Sequence, residues 1–290
     1  MDCTELAKRA RNAANCMQIT KEHQRNECLR ILKRKLSEKS ALEAVHNANL
    51  EDLKNIEKGP LKSRLDLFPN NENNRYNQLV ESIDTVIKLD SPTGKVSLKR
   101  KLDEDLLLVR ESFPIGVLLI IFEARPEVII QISSLAIKSG NTAILKGGKE
   151  ANNTNKALFK IVNETLNEVH ELYSKKNQNE ENDFPIDAIQ LVESREEISQ
   201  LLNLDKYIDL VIPRGSNSLV KYIQNNTRIP VMGHADGICS AFLRKDLDLY
   251  KSIKILIDAK TSYPAACNTI ENLVVERDLF NTIYDPKEDD

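Results

Sequence analysis

The sequence predicts an α/β fold built on a doubly wound parallel sheet, and three observations lead to it. From residue 115 onward, short apolar runs recur at Ile115–Phe122, Thr142–Lys146, Ala188–Val192, Ile208–Ile212 and Ile229–Met232. The runs are continuous rather than alternating, so both faces of each strand should be covered. Between them lie amphipathic stretches at about 127–139, 150–173, 195–203 and 216–226, long enough to serve as helical crossovers.

Ahead of the sheet, residues 1–90 read as helices. Leu6, Ala10, Ala13 and Met17 recur at helical spacing, and Leu29, Leu32 and Leu36 continue the pattern in a second, strongly basic helix. A third is expected from Ser40, where Ser40-x-x-Glu43 fits a capping box; it carries Leu42, Val45 and Leu53 and stops at Gly59-Pro60. After an Asn-rich loop from Pro69 to Asn74, Leu79, Val80, Ile83, Val86 and Ile87 mark a fourth. Then the period changes. Val96–Leu98 and Leu106–Val109 flank the charged turn Asp103-Glu104-Asp105, the pattern of a two-stranded hairpin. Further on, Gly140 ends the helix that follows the first sheet strand, and Lys175 to Asp183 (KKNQNEEND) reads as a polar surface loop. A last strand is expected at Ile270–Val275.

Composition narrows the function classes. The chain has 290 residues, 41% hydrophobic and 29% charged, with a formal net charge of -3. Such a balance gives no basic field for nucleic acid; the short runs Lys33-Arg34-Lys35 and Lys99-Arg100-Lys101 read as solvated faces. The start Met1-Asp2-Cys3-Thr4-Glu5 is acidic where a secretory signal would be basic. The run Ile115–Phe122 is too short to span a bilayer, so no membrane segment is expected. Five cysteines (Cys3, Cys16, Cys28, Cys239 and Cys267) lack a CxxC, and four histidines are scattered. Neither a disulfide framework nor a metal site is expected, and a reduced, cytoplasmic setting follows.

Three segments could carry chemistry. In Pro114-Ile115-Gly116-Val117…Phe122-Glu123-Ala124-Arg125-Pro126 a buried strand runs into a charged turn and then a helix, at the strand end where open α/β sheets bind ligands. In Ile144-Leu145-Lys146-Gly147-Gly148-Lys149-Glu150 a strand ends in two lysines and two glycines, which suits close backbone approach to a phosphate, although such a turn alone is weak. In Asp258-Ala259-Lys260-Thr261-Ser262-Tyr263-Pro264-Ala265-Ala266-Cys267-Asn268 a cysteine lies in a small-residue loop before a strand. A lone cysteine is more often a buried small hydrophobe than a nucleophile.

Taken together, these segments resemble the γ-glutamyl phosphate reductases (glutamate-5-semialdehyde dehydrogenases), a branch of the aldehyde dehydrogenase superfamily. The runs FEARPEV, LKGGKE, VIPRGSN, GHADGIC and YPAACN carry the likeness, which covers nearly the whole chain and is closest to fungal members. The resemblance implies an aldehyde dehydrogenase-like fold with an incomplete catalytic domain. Residues 1–90 would be N-terminal helices of the cofactor-binding domain and 91–112 an oligomerisation hairpin. Residues 113–232 would form an NADP-binding Rossmann-like domain, and 233–290 the start of the catalytic domain.

It also implies a reaction. Cys267 would attack the acyl phosphate of γ-glutamyl phosphate, expel phosphate and form a thioester that NADPH reduces to glutamate 5-semialdehyde, a step of proline biosynthesis. The Cys267 N–H is a candidate oxyanion donor, and Asn268, counted with Cys267, Arg125 and His234 as catalytic, begins the return strand. Arg125 would serve the oxyanion or the γ-phosphate, unless it pins its loop through Glu123 or Glu127. His234 would donate a proton or be an ordinary loop histidine. Hydrolytic relatives carry a Glu-Leu-Gly-Gly run that activates water; Val231-Met232-Gly233-His234-Ala235 has no carboxylate there, which favours reduction. Lys146 and Gly148 match the cofactor strand end, and Lys149 stands where NAD users often carry Glu, so NADPH is expected. Gly215 and Ser216 would offer N–H groups to the pyrophosphate. Family members continue well past Cys267 and finish with a strand that pairs with a neighbouring subunit's hairpin. The full-length form is thus expected to be a homo-oligomer, with glutamate 5-kinase as an associated protein. The strand Ile270–Val275 is expected to lack neighbours here. Two alternatives stay open: an inactive cofactor-binding or subunit-interacting fragment, and an aldehyde dehydrogenase of other specificity.

Overall fold

A computed structural model describes residues 2–54, 56, 59–70, 74–176, 183–234, 236–262, 264 and 266–283. The chain divides into two compact units, Met1–Gly233 and His234–Asp290. Most of the polar stretch 175–183, the middle of the Asn-rich loop and residues 235, 265 and 284–290 lie outside the described residues.

The first unit opens with α1 (Cys3–Ile19), α2 (Glu22–Leu36), α3 (Lys39–Lys54), the six-residue α4 (Pro60–Leu65) and α5 (Arg75–Lys88). Ser40 is not a cap. Helix α3 begins at Lys39, because only two residues separate it from α2 and Leu42 N–H already bonds to the Glu38 carbonyl at 3.0 Å. Strands β1 (Val96–Asp103) and β2 (Leu106–Glu111) pair antiparallel around a two-residue turn, and every position of both is exposed.

The sheet follows. Strands β3 (Val117–Phe122), β4 (Thr142–Lys146), β5 (Ile189–Val192) and β6 (Leu210–Arg214) are all parallel, in the order β5-β4-β3-β6. Their connections run through α6 (Val128–Lys138), α7 (Asn152–Lys176) and α8 (Arg195–Leu201); α9 (Asn217–Asn225) follows β6. All six residues of β3 are buried. Their alternation explains why: Leu118, Ile120 and Phe122 enter a core with α2, α5, α6 and α7, whereas Val117, Leu119 and Ile121 enter a second core with α1, α8 and α9. A strand sandwiched between two cores has no solvent face, hence the unbroken apolar run. The expected strand at 229–232 is corrected to a single bridge, Val211 to Val231. Pro230 has no N–H to donate to a ladder, and its carbonyl alone accepts from Val211 N–H at 2.9 Å.

In the second unit β7 (Cys239–Leu243) and β8 (Ile270–Val275) pair in parallel, joined through α10 (Leu249–Thr261), and α11 (Arg277–Ile283) follows. Among the described residues strand β8 therefore has one neighbour, β7, which the apolar pattern did not show. Its middle positions are nevertheless exposed. Among the described residues no helix is long and apolar enough to cross a membrane.

Candidate functional site

The chain builds outward from β3 through β4 to β5 and then returns to the far side of β3 as β6. Loops leaving the carboxyl ends of β3 and β6 therefore diverge, and open α/β sheets bind ligands in the crevice so formed. A cleft of roughly 520 Å³ lies there, lined by Glu123 after β3, by Lys146, Gly148 and Lys149 after β4, and by Ser216 and Tyr222 around α9. Four of the five residues expected to hold a cofactor thus converge on one cavity; the fifth, Gly215, precedes Ser216. Lys146 ends β4 and is buried, while Lys149 is exposed at the start of a 3-10 turn, Lys149–Ala151.

The β3 loop reaches across to α9. Glu123 Oε2 accepts from Ser216 N–H at 3.0 Å, while Ser216 makes no side-chain cap bond of its own. A Cβ on Gly215 would lie 2.5 Å from that carboxylate oxygen, so glycine makes the approach possible. The N–H assigned to a pyrophosphate is thus held by a carboxylate, which an anionic ligand at this helix end must displace. The residue pattern offered Glu123 only as a possible partner of Arg125; its bond to Ser216 was not foreseen.

Ala124 takes a left-handed φ of 48°, a costly conformation for a residue with a Cβ, and turns the chain between Glu123 and Arg125. Arg125 is half exposed and lies 3.7 Å from Glu127 Oε1. Arg75 holds the same oxygen at 2.7 Å and also donates to the carbonyls of Ser63, Arg64 and Asp66. Arg75, rather than Arg125, therefore ties the loop down, and Arg125 keeps an open face. Its nearest carboxylate partner is Glu127, not Glu123.

Cys267, Asn268 and His234 belong to the second unit. Parallel pairing of β7 and β8 puts the amino ends of both strands at one edge, so the segments that precede them, with His234 and Cys267, emerge on the same side. Of the five cysteines Cys267 alone is exposed; Cys3 and Cys28 are buried, Cys16 and Cys239 half-buried. Burial pushes the Cys28 thiol far up, which makes it inert as a nucleophile. Thr269 N–H closes on Ala266 O at 3.1 Å, so Cys267 and Asn268 are the two central residues of a tight turn. Asn268 accordingly does not begin the strand, which starts at Ile270. His234 and Asn268 are both exposed.

Backbone packs directly on backbone beneath this turn. A Cβ on Gly237 would sit 1.8 Å from the Cys267 carbonyl oxygen and 2.8 Å from its carbon. The Cys239 thiol donates to the same oxygen at 3.6 Å. Gly237 and Cys239 were legible only as part of the GHADGIC run.

No family model matches the chain. It is 42% identical over 291 residues to the gamma-glutamyl phosphate reductase of Brachyspira hyodysenteriae, a match covering 99% of this chain and 64% of that protein. The crystal structure of gamma-glutamyl phosphate reductase from Thermotoga maritima superposes with a TM-score of 0.82 at 29% identity, covering 96% of this chain and 64% of that one. The Saccharomyces cerevisiae enzyme of the same name gives 0.71 at 42% identity, covering 96% and 67%. A propionaldehyde dehydrogenase from Rhodopseudomonas palustris, at 13% identity and a TM-score of 0.62 over 97% of this chain and 56% of that one, shares the fold. The chain spans 57–64% of the length of the first curated relatives it matches.

Proposed function

We propose that this chain, which belongs to the gamma-glutamyl phosphate reductase family, supplies the nucleotide-binding unit and the nucleophile for NADPH-dependent reduction of γ-glutamyl phosphate to glutamate 5-semialdehyde. The observation that supports it most strongly is Cys267, the only exposed cysteine, displayed at the corner of a tight turn in a chain 42% identical to such a reductase along its length.

The Cys267 thiolate attacks the γ-carbonyl carbon. The bond from that carbon to the phosphate oxygen breaks, phosphate leaves with the electron pair, and a γ-glutamyl thioester remains on Sγ. Developing negative charge on the carbonyl oxygen calls for fixed donors, of which the Cys267 N–H is one; losing a donor of this kind costs about 3 kcal/mol in the barrier. Arg125, with its open face, offers a cation to the phosphate or to the oxyanion, and the exposed His234 offers a proton. No carboxylate stands in Val231–His234 to activate water against the thioester.

The cleft suits a nicotinamide nucleotide: it combines roughly 520 Å³ with two lysines and a glycine-permitted close approach of backbone. Lys146, Gly148, Lys149, Gly215 and Ser216 would hold it, Lys149 placing a cation where a 2′-phosphate needs one. When bound, such a nucleotide supplies the hydride that takes the thioester to the aldehyde. The same proposal extends to a cytoplasmic setting, to glutamate 5-kinase as an associated protein, and to a homo-oligomer of the full-length form in which the exposed β1–β2 hairpin meets a neighbouring subunit.

The test is NADPH oxidation by the purified chain in a coupled assay supplying γ-glutamyl phosphate, with Cys267→Ser as control. Turnover that vanishes in the variant supports the proposal. NADPH binding without turnover would point instead to a module that holds cofactor but does no chemistry.

A further inference from the structure

The turn that displays Cys267 has a weak point. Its ends are fixed by the bond from Thr269 N–H to Ala266 O, but its central peptide, between Cys267 and Asn268, is not held by that bond. The orientation of this peptide is what separates type I from type II turns; a flip reverses its carbonyl and N–H and rotates both flanking residues. Type II needs a positive φ at the second central residue, which asparagine tolerates better than most. Asn268 does not adopt a positive φ here. With this sequence the flip is within reach, so something must oppose it.

Among the described residues two groups touch the carbonyl of that peptide, Gly237 just before β7 and Cys239 at its start. The Cys239 thiol donates to Cys267 O at 3.6 Å, within the reach of a sulfur hydrogen bond. Gly237 lies against the same oxygen so closely that any Cβ would overlap it. All peptides described are trans, so holding the carbonyl toward β7 directs the Asn268 N–H to the opposite side. Alternation along β7 puts Cys239 on the half-buried side of the strand with Ala241 and Leu243, and parallel pairing brings its amino end beside the turn. Ser240 and Phe242 face away and are exposed.

We propose that Cys239 is a positioning residue for Cys267: its thiol, together with Gly237, clamps the central peptide of the nucleophile turn and so fixes the direction in which Sγ meets an acyl phosphate. This rests on the reading of Cys267 as the nucleophile. Cys239 touches no reacting atom. Its effect is on alignment, which matters for attack on a carbonyl because reacting atoms must meet at about 3–3.5 Å with the correct approach.

Two reactions of Cys267 separate alignment from exposure. Acylation by acetyl phosphate, read as the mass gain of the Cys267 peptide, demands a defined approach to a carbonyl. Alkylation by iodoacetamide, read on the same peptide, demands little more than an accessible thiol. Cys239→Ala in the full chain is expected to slow acylation at least about fivefold while alkylation changes less than about twofold. Cys239→Ser keeps a donor and restores acylation to within about twofold of the parent. A general loosening of the unit would move both reactions and would not be rescued by serine. Equal acylation rates in Cys239→Ala and the parent, or a serine variant as slow as alanine, would overturn the clamp. A parent chain that alkylates at Cys267 but is never acylated would overturn the nucleophile reading itself, and the clamp with it.

Discussion

Strands β3 and β8 are both six residues long and both lie in parallel pairings, yet their surroundings are opposite. Every residue of β3 is buried between two cores, whereas β8 has one neighbouring strand and four exposed central positions. The helix that packs with β8, α10, buries none of its residues, while α6 beside β3 buries eight. The first unit is thus held by apolar burial and can carry a ligand cleft on rigid strand ends. In the second, the loop that carries Cys267 is held by something more local: a closed turn and a backbone-on-backbone contact at Gly237. A loop can be held in place without a large core beneath it.

That contrast can be broken most easily by truncation. Leu119→Ala in β3 should destabilise the first unit by about 2–5 kcal/mol, because removing a fully buried leucine leaves a cavity in the core shared with α1, α8 and α9. Phe242→Ala in β7, at a side chain 61% exposed, should cost less than about 1 kcal/mol. Chemical denaturation with a probe in each unit would read both. Comparable losses at the two sites would show that the second unit is better buried than described.

The cleft offers a sharper contrast. Lys149→Glu should cut the ratio of NADPH to NADH efficiency by about tenfold or more, since it replaces attraction to a 2′-phosphate with repulsion. Steady-state kinetics with both nucleotides would show it, and an unmoved ratio would remove Lys149 from the site. Within the first unit a comparable effect is expected for Tyr76→Phe. The Tyr76 hydroxyl is buried, its pKa pushed up to about 12 by that burial, and it donates to Leu36 O at 2.8 Å. Removing it leaves a buried carbonyl unpaired, at about 1–2 kcal/mol in thermal unfolding.

The smallest expected effect is one of pH. Hydrogen bonding from Lys35, with help from Arg34, holds the Glu168 carboxyl below the usual carboxylate range despite its partial burial. A carboxylate with a lowered folded pKa adds stability above its unfolded pKa and loses it as pH falls through the folded value. Glu168→Gln should therefore cost a few tenths of a kcal/mol at pH 7, as exposed pairs do, and nothing once the pH is below the carboxylate range. A loss that persists in acid would mean that glutamine disturbs packing instead.

Much of the first unit was legible because burial on both faces writes itself as continuous apolar runs, and β3, β4, β5 and β6 each correspond to one. The run at 229–232 misled because Ile229 and Val231 pack against a core while Pro230 removes the N–H a ladder needs. Strand β7 was not legible: Cys-Ser-Ala-Phe-Leu is short and half exposed, and its one partner lies 31 residues further along at Ile270, beyond the reach of any local pattern. Among candidate site residues, Lys146, Gly148, Lys149 and Ser216 could be placed on one cleft because strand ends of a parallel sheet share an edge. The contacts of Glu123 with Ser216 and of Cys239 with the Cys267 carbonyl were not legible, because no spacing encodes them.

The most direct measurement is mass spectrometry of the chain exposed to γ-glutamyl phosphate without reduced nucleotide. A γ-glutamyl adduct confined to the Cys267 peptide, and discharged when NADPH is added, is the predicted result. A folded chain whose Cys267 stays unmodified while the acyl phosphate is intact would contradict the proposed chemistry at its first step.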